Sequence, residues 1–161
     1  MYRGYLNAQG QRQGVGIVNC GVWKYIGEWH EDDLHGIAKI ESNNGYSDWG
    51  EYKHGEEEGY LTIKYSDGTV DYAQYKNGSK NGYGILTYSD GVVYRGECKD
   101  DYMNGYGLMK YPNNDEYDGQ WECGTRHGEG VFKEASTGRV ERRLYEWDIV
   151  KEVLEVIEQG Q

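Results

Sequence analysis

Tyr117-Asp118-Gly119-Gln120-Trp121, followed closely by Arg126-His127-Gly128-Glu129-Gly130, sets a pattern that returns every 23 residues towards the N-terminus. Gly36, Gly59, Gly82, Gly105 and Gly128 stand on one comb of that period. Gly27, Gly50, Gly96 and Gly119 stand on a second, with Ala73 filling the gap. A third carries Trp29, Tyr52, Tyr75, Cys98 and Trp121, and a fourth carries Ile40, Ile63, Leu86, Met109 and Phe132. Four combs in phase are the mark of internal repetition. An earlier unit from Tyr2 to Lys24 carries Gly4, Gly14 and Gly16, with one extra loop residue. The array therefore holds about six units, over 2–24, 25–47, 48–70, 71–93, 94–116 and 117–139.

Each unit reads as two short strands. Tyr25-Ile26-Gly27-Glu28-Trp29-His30 and Tyr60-Leu61-Thr62-Ile63-Lys64-Tyr65 alternate with period two and are bounded by Gly, Asn and Asp clusters. Ser66-Asp67-Gly68 and Ser89-Asp90-Gly91 are turn signals, in which Asp caps the turn and Gly accepts the left-handed conformation. Alternation puts Tyr25, Gly27 and Trp29 on one face, and Glu28 and His30 on the other. A mid-strand glycine weakens a strand on its own. An aromatic ring from a neighbour, laid over the bare backbone, removes the difficulty. The predicted fold is all-β: an elongated, single-layer antiparallel hairpin array.

Composition narrows the function. The chain has 161 residues with 17 Tyr, 5 Trp, 25 Gly and a single Pro, and so many aromatics argue against disorder. A net charge of −11 argues against nucleic acid, whose binding rests on neutralised phosphates. It also disfavours anionic lipid and favours a basic or mixed-charge protein partner. Cys20, Cys98 and Cys123 are odd in number and lack paired spacing, so neither a disulfide framework nor a zinc site is expected. No membrane span or signal peptide is read, and the expected location is a reducing cytoplasmic compartment.

Tyr25-x-Gly27-Glu28-Trp29 with Leu34-His35-Gly36, and Tyr117-x-Gly119-x-Trp121 with His127-Gly128-x-Gly130, resemble the MORN repeat. Asn81-Gly82-Tyr83-Gly84 and Asn104-Gly105-Tyr106-Gly107 fit its second half. Asp48 and Asp71 in place of the leading Tyr, Ala73 in place of Gly and Cys98 in place of the aromatic depart from it. The resemblance implies a non-enzymatic scaffold in a multi-subunit assembly, cytoskeletal, ciliary or axonemal. For some members it implies phosphoinositide binding or service as the regulatory part of a separate enzyme.

No residue set predicts catalysis, a cofactor or a metal. His30-Glu31-Asp32-Asp33-Leu34-His35 has one residue too many between Glu31 and His35 for a helical zinc-protease motif. The Gly-x-Gly pairs read as sheet glycines. Lys53, Lys76 and Lys99 form a ladder with Glu28, Glu51 and Glu97 before or beside it, and read as a paired, solvated surface. Glu31-Asp32-Asp33, Glu56-Glu57-Glu58 and Asp100-Asp101 form an acidic stripe that matches no calcium loop. Trp29, Tyr52, Tyr75 and Trp121, with Tyr65, Tyr88 and Tyr111, are expected to line a partly exposed groove for a partner's segment, because a single layer leaves that face uncovered. The alternative is that these columns pack on themselves. Trp147, Val150, Leu154 and Ile157 fall at helical spacing, with Asp148 as cap and Gly160 as stop. They predict an amphipathic C-terminal helix over 147–159 that covers the last repeat or docks on a partner.

Overall fold

The computed structural model describes residues 1–158 and contains fourteen β-strands. They are β1 (Tyr2–Leu6), β2 (Arg12–Cys20), β3 (Trp23–His30), β4 (Asp33–Ser42), β5 (Ser47–Lys53), β6 (Glu56–Lys64) and β7 (Val70–Lys76). Then come β8 (Ser79–Thr87), β9 (Val93–Lys99), β10 (Tyr102–Lys110), β11 (Glu116–Glu122), β12 (Thr125–Glu134), β13 (Arg139–Glu146) and β14 (Ile149–Glu158). The chain divides into two units, Met1–Ser79 and Lys80–Gln161. Within the first, β1 to β7 pair antiparallel in chain order. Within the second, β8 to β14 do the same.

The tight turns explain why the strands follow one another so regularly. Glu31-Asp32, His54-Gly55, Asn77-Gly78, Asp100-Asp101 and Cys123-Gly124 all have positive φ at both residues. That is the type I′ turn, whose twist matches the strands it joins. Its second residue also ties hairpins together. Gly55 N–H donates to the Leu34 carbonyl at 2.9 Å, Gly78 to Glu57 at 3.0 Å and Gly124 to Met103 at 2.9 Å. Where that residue is Asp, its side chain adds a bond in the opposite direction. The Arg12 N–H donates to Asp32 at 2.9 Å, and the Lys80 N–H to Asp101 at 2.8 Å. Two members of the acidic stripe are therefore turn residues that staple neighbouring hairpins.

Three repeats show the aromatic cover anticipated for mid-strand glycine, whereas Gly36, Gly59, Gly82, Gly105 and Gly128 are required by a positive φ. Tyr94 lies over the paired glycines Gly96 and Gly107, and a Cβ on Gly107 would sit 2.4 Å from its ring. Tyr117 covers Gly119 and Gly130 in the same way, and Tyr2 covers Gly4 and Gly16. Each of these hydroxyls donates to the carbonyl three residues on: Tyr94 to Glu97 at 2.7 Å, Tyr117 to Gln120 at 2.9 Å and Tyr2 to Tyr5 at 3.1 Å. The departures in the middle repeats compensate one another. At Gly50 the Leu61 side chain fills the space a ring takes elsewhere, and the leading residue there is Asp48 instead of Tyr. At Gly27 the filler is the Ala38 Cβ.

The predicted C-terminal helix is absent: Trp147, Val150, Leu154 and Ile157 belong to the β13–β14 hairpin, and the described residues hold no helix. Trp147 and Asp148 (φ 50° and 66°) form another type I′ turn, and Asp148 accepts from the Arg126 N–H at 3.0 Å and Nε at 2.8 Å. The Asp148 cap thus caps a turn and not a helix, and Gly160 lies outside the described residues. The helical spacing has a specific source. Glu141, Arg143 and Tyr145, two apart, pair with Val156, Val153 and Val150, three apart. Three bulges let β14 advance three residues for every two of β13, leaving Lys151, Leu154 and Ile157 as the extra ones. A strand bulged this regularly has an apolar period of three, close enough to 3.6 to read as a helix.

Asp148→Ala, like Asp101→Ala at the equivalent turn, is expected to lower the melting temperature, with Asp148→Asn milder because it keeps an acceptor. A change confined to local fraying of a helical tail in amide exchange would contradict the hairpin.

Candidate functional site

Alternation gives the sheet in each unit a packed face and an open face. In the first unit Trp29, Tyr52 and Tyr75 lie on the packed face and are only 2–5% exposed; in the second, Trp121 is 5% exposed. Their burial comes from their own neighbours. The indole N–H of Trp29 donates to the Gly16 carbonyl at 3.2 Å, and that of Trp121 to Gly107 at 3.0 Å. Tyr94 and Tyr117 meet the Trp121 ring edge-on at 5.4 and 5.3 Å, and Tyr145 continues the column at 5.1 Å from Tyr117. Cys98 is buried in the column position between aromatic repeats. Tyr65, Tyr88 and Tyr111 are half-buried at hairpin ends. Tyr65 donates to Asp71 at 3.1 Å. The four central rings thus form a core, and only the tyrosine ends of the expected groove reach solvent.

Beside Tyr111 an open hollow of about 480 Å³ is lined by Tyr111, Pro112, Asn113, Asp115, Arg126 and Phe132. Its one cation, Arg126, is held by Asp148, so the hollow is not built for an anion.

The open face carries what the sequence reading passed over. The residue after each of Gly14, Gly36, Gly59, Gly82 and Gly105 points outward: Val15, Ile37 and Tyr60 in the first unit, Tyr83 and Tyr106 in the second, all between 50% and 76% exposed. Ile37, Tyr60, Tyr83 and Tyr106 stand 23 apart, a fifth comb one residue behind the glycines of the first. Trp49 and Tyr72 are exposed on the same face of the first unit, and the Tyr60 and Tyr72 rings stack at 5.6 Å.

Opposite the apolar residues stand acids and amides. Val15 pairs with Glu28, Ile37 with Glu51, Tyr60 with Gln74, Tyr83 with Glu97 and Tyr106 with Gln120. Three of these side chains also close the local bulge. Glu28 accepts from the Ile37 N–H at 3.3 Å, Glu97 from Tyr106 at 3.2 Å and Gln120 from Glu129 at 2.9 Å. The open face therefore sets apolar side chains opposite acids and amides.

Other groups do not make a site. His30, His35 and His54 lie side by side, with ring centroids 5.6 and 5.0 Å apart. Yet no group of His, Cys, Asp and Glu among the described residues is arranged to hold a metal. Cys20, Cys98 and Cys123 form no disulfide. Lys53, Lys76 and Lys99 are exposed on the open face at strand ends, two residues beyond Glu51, Gln74 and Glu97.

A family model for the MORN repeat matches residues 25–45, 73–93, 94–116 and 117–133. The chain belongs to the MORN-repeat family. No curated protein matches the sequence. Among solved structures the chain is similar to the SAS-4 (dCPAP) TCP domain of Drosophila melanogaster, solved in complex with a proline-rich motif of Ana2 (dSTIL). That similarity is 13% identity and a TM-score of 0.48 over 89% of this chain and 83% of that one, too loose to carry an argument about this chain.

The MORN repeats that depart from the family pattern keep buried carboxylates where others keep Tyr. Asp48 is 2% exposed and accepts from the hydroxyls of Tyr46, at 2.8 Å, and of Tyr52. Burial pushes its carboxyl above the usual range, and the two hydroxyls offset this only in part. Burial beside that carboxylate likewise drives both tyrosines up. A carboxyl raised in the folded state adds stability below its unfolded value near ~3.9, and that contribution is lost as pH rises through the folded value. In urea unfolding, the stability of Asp48→Asn relative to the parent is expected to rise between about pH 4 and 7. A difference that stays flat over this range would show that Asp48 is not desolvated.

Proposed function

We propose that this MORN array is a non-catalytic scaffold that binds other proteins through the open face of its repeat sheets. The observation that carries the reading is the exposed column Val15, Ile37 and Tyr60, joined by Trp49 and Tyr72, on a sheet whose opposite face buries Trp29, Tyr52 and Tyr75. Monomeric soluble proteins seldom leave contiguous apolar surface of this kind exposed, and where they do it marks an interaction site. Family membership supports the same reading, as does an acidic charge that disfavours nucleic acid. We place the scaffold in the cytoplasm, within a cytoskeletal or ciliary assembly. The expected working surface shifts from the Trp29–Trp121 column to the face behind it, since rings 2–5% exposed are reached only by unfolding the sheet.

Affinity capture from cell extract, compared with a Trp49→Ala/Tyr60→Ala/Tyr106→Ala variant, tests this. All three side chains are more than half exposed, so the variant is expected to melt like the parent yet lose its captured proteins. An unchanged set of partners would end the proposal. A parallel loss of binding to phosphoinositide vesicles in a Lys53→Glu/Lys76→Glu/Lys99→Glu variant would favour a lipid-binding role instead.

A further inference from the structure

Charge is divided unevenly between the first and last strands. Residues 1–27 hold Arg3, Arg12 and Lys24 and no acid, so all 28 acids of a chain with net charge −11 lie beyond them. Asp32 holds Arg12 at 3.0 Å and Glu41 holds Lys24 at 3.5 Å, whereas Arg3 on β1 enters none of the ion pairs found among the described residues. The last strand is the reverse. β14 carries Glu152, Glu155 and Glu158 against a single cation, Lys151, which Glu146 already holds at 2.7 Å.

Both strands have an open edge. Among the described residues β1 pairs only with β2, and β14 only with β13. An open edge is a row of unpaired N–H and C=O groups that accepts another strand. The packed face is also unfinished at β14: Val150, Val153 and Val156 stand opposite Tyr145, Arg143 and Glu141, yet remain 39–45% exposed.

The pairing of β13 shows how a neighbouring strand meets β14. Across the bulges, Glu141, Arg142, Arg143, Leu144 and Tyr145 face Val156, Glu155, Val153, Glu152 and Val150 in turn, and Arg142 reaches Glu155 at 3.5 Å. β1, like β13, is the first strand of its repeat, so Tyr2 holds the position of Glu141 and Arg3 that of Arg142. Second strands pair antiparallel with the first strand that follows, as β2 does with β3 and β12 with β13. A β1 laid antiparallel on the outer edge of β14 continues that order. In the register of β13, Tyr2 falls at Val156, Arg3 at Glu155 and Tyr5 at Glu152, and a carboxylate has oxygens enough for a cation on either side. Met1 falls at Glu158, beside a hollow of about 430 Å³ lined by Met1, Arg3, Ile17, Asn19 and Lys24. Two copies of β14 would set glutamates against glutamates, and two copies of β1 would set Arg3 against Arg3. Only β1 against β14 sets opposite charges face to face.

We propose that a second copy of this chain adds its β1 to the free edge of β14, antiparallel, with Arg3 of one copy over Glu155 and Glu152 of the other. The contact is heterologous, so each copy added leaves one β1 and one β14 open and assembly proceeds head to tail. It uses the sheet edges and is independent of the open-face reading above. The test is sedimentation velocity of the full chain over a concentration series at low salt, with three variants: Arg3→Glu, Glu152→Gln/Glu155→Gln and Trp49→Ala/Tyr60→Ala/Tyr106→Ala.

The parent is expected to grow with concentration past a dimer, and to do so less as salt screens the facing charges. Arg3→Glu and Glu152→Gln/Glu155→Gln are each expected to weaken association at least ~10-fold with an unchanged melting temperature. Mixed in equal amounts, these two variants are expected to form a 1:1 complex that grows no further, because the first keeps a working β14 and the second a working β1. The open-face variant is expected to associate like the parent. A parent that sediments as a single chain throughout would overturn the inference, as would a mixture that forms no complex. Continued association of Arg3→Glu alone would mean β14 on β14, and that of the Gln variant alone β1 on β1; either result rejects the head-to-tail contact. Association lost only in the open-face variant would reject it as well, and would leave the scaffold reading to be judged on its own captured partners.

Discussion

The ring of a leading tyrosine laid flat over a cross-strand pair of glycines is the contact on which the rest of this structure depends. It lets a thin sheet bury an aromatic side chain without a second layer. Tyr94 and Tyr117 are fully buried in this way, each with its hydroxyl returned to a backbone carbonyl of its own strand. The glycines are small because the ring needs their space, and the ring is fixed because the glycines admit it. Trp121 then packs edge-on against both tyrosines, and its indole bonds to the carbonyl of Gly107, itself one of the covered residues. The packed column around Trp121 is built from two copies of this one contact.

The same contact explains which departures from the pattern are tolerated. Leu61 takes the volume of the missing ring beside Gly50, and the freed leading position holds Asp48, whose carboxylate is satisfied by Tyr46 and Tyr52. The last hairpin carries the exchange further, with Glu141 in the tyrosine position held by Arg139 and Arg143. Because the packed face is complete in itself, the open face is released from core duty. Its exposed side chains are thereby available for a partner, while Glu28, Glu97 and Gln120 each accept one backbone N–H and Gln120 also donates to the Tyr106 hydroxyl.

Much of this was legible in the sequence. The glycine combs, the aromatic comb and the Asp-Gly turns fix a period, and period two within each unit fixes strands and faces. Aromatic cover over the glycines was also foreseeable, because bare glycine in mid-strand needs a reason. Two features were hidden for physical causes. The residues of β14 keep an apolar period of three because three bulges stretch the strand against β13, and hydrophobic periodicity alone cannot separate that from a helical turn. The missed signal was the Trp147-Asp148 pair, which falls one residue late on the comb of Asp32, Gly55, Gly78, Asp101 and Gly124. The exposed column was overlooked because exposure was assigned to the larger rings. Trp29 and Trp121 looked accessible in a single layer, whereas edge-on packing between repeats closes over them and leaves Ile37, Tyr60, Tyr83 and Tyr106 outside.

The central claim is that ring and glycine exclude each other's substitution, and a double-mutant cycle between Tyr94 and Gly107 tests it most directly. Gly107→Leu alone drives a side chain into the Tyr94 ring, and Tyr94→Ala alone leaves a cavity over two glycines. Together they rebuild the filling that Leu61 provides beside Gly50. Urea unfolding of the four proteins should give a double variant more stable than the sum of its single changes by about 1–3 kcal/mol. Additive losses, with no coupling between the two positions, would contradict the account.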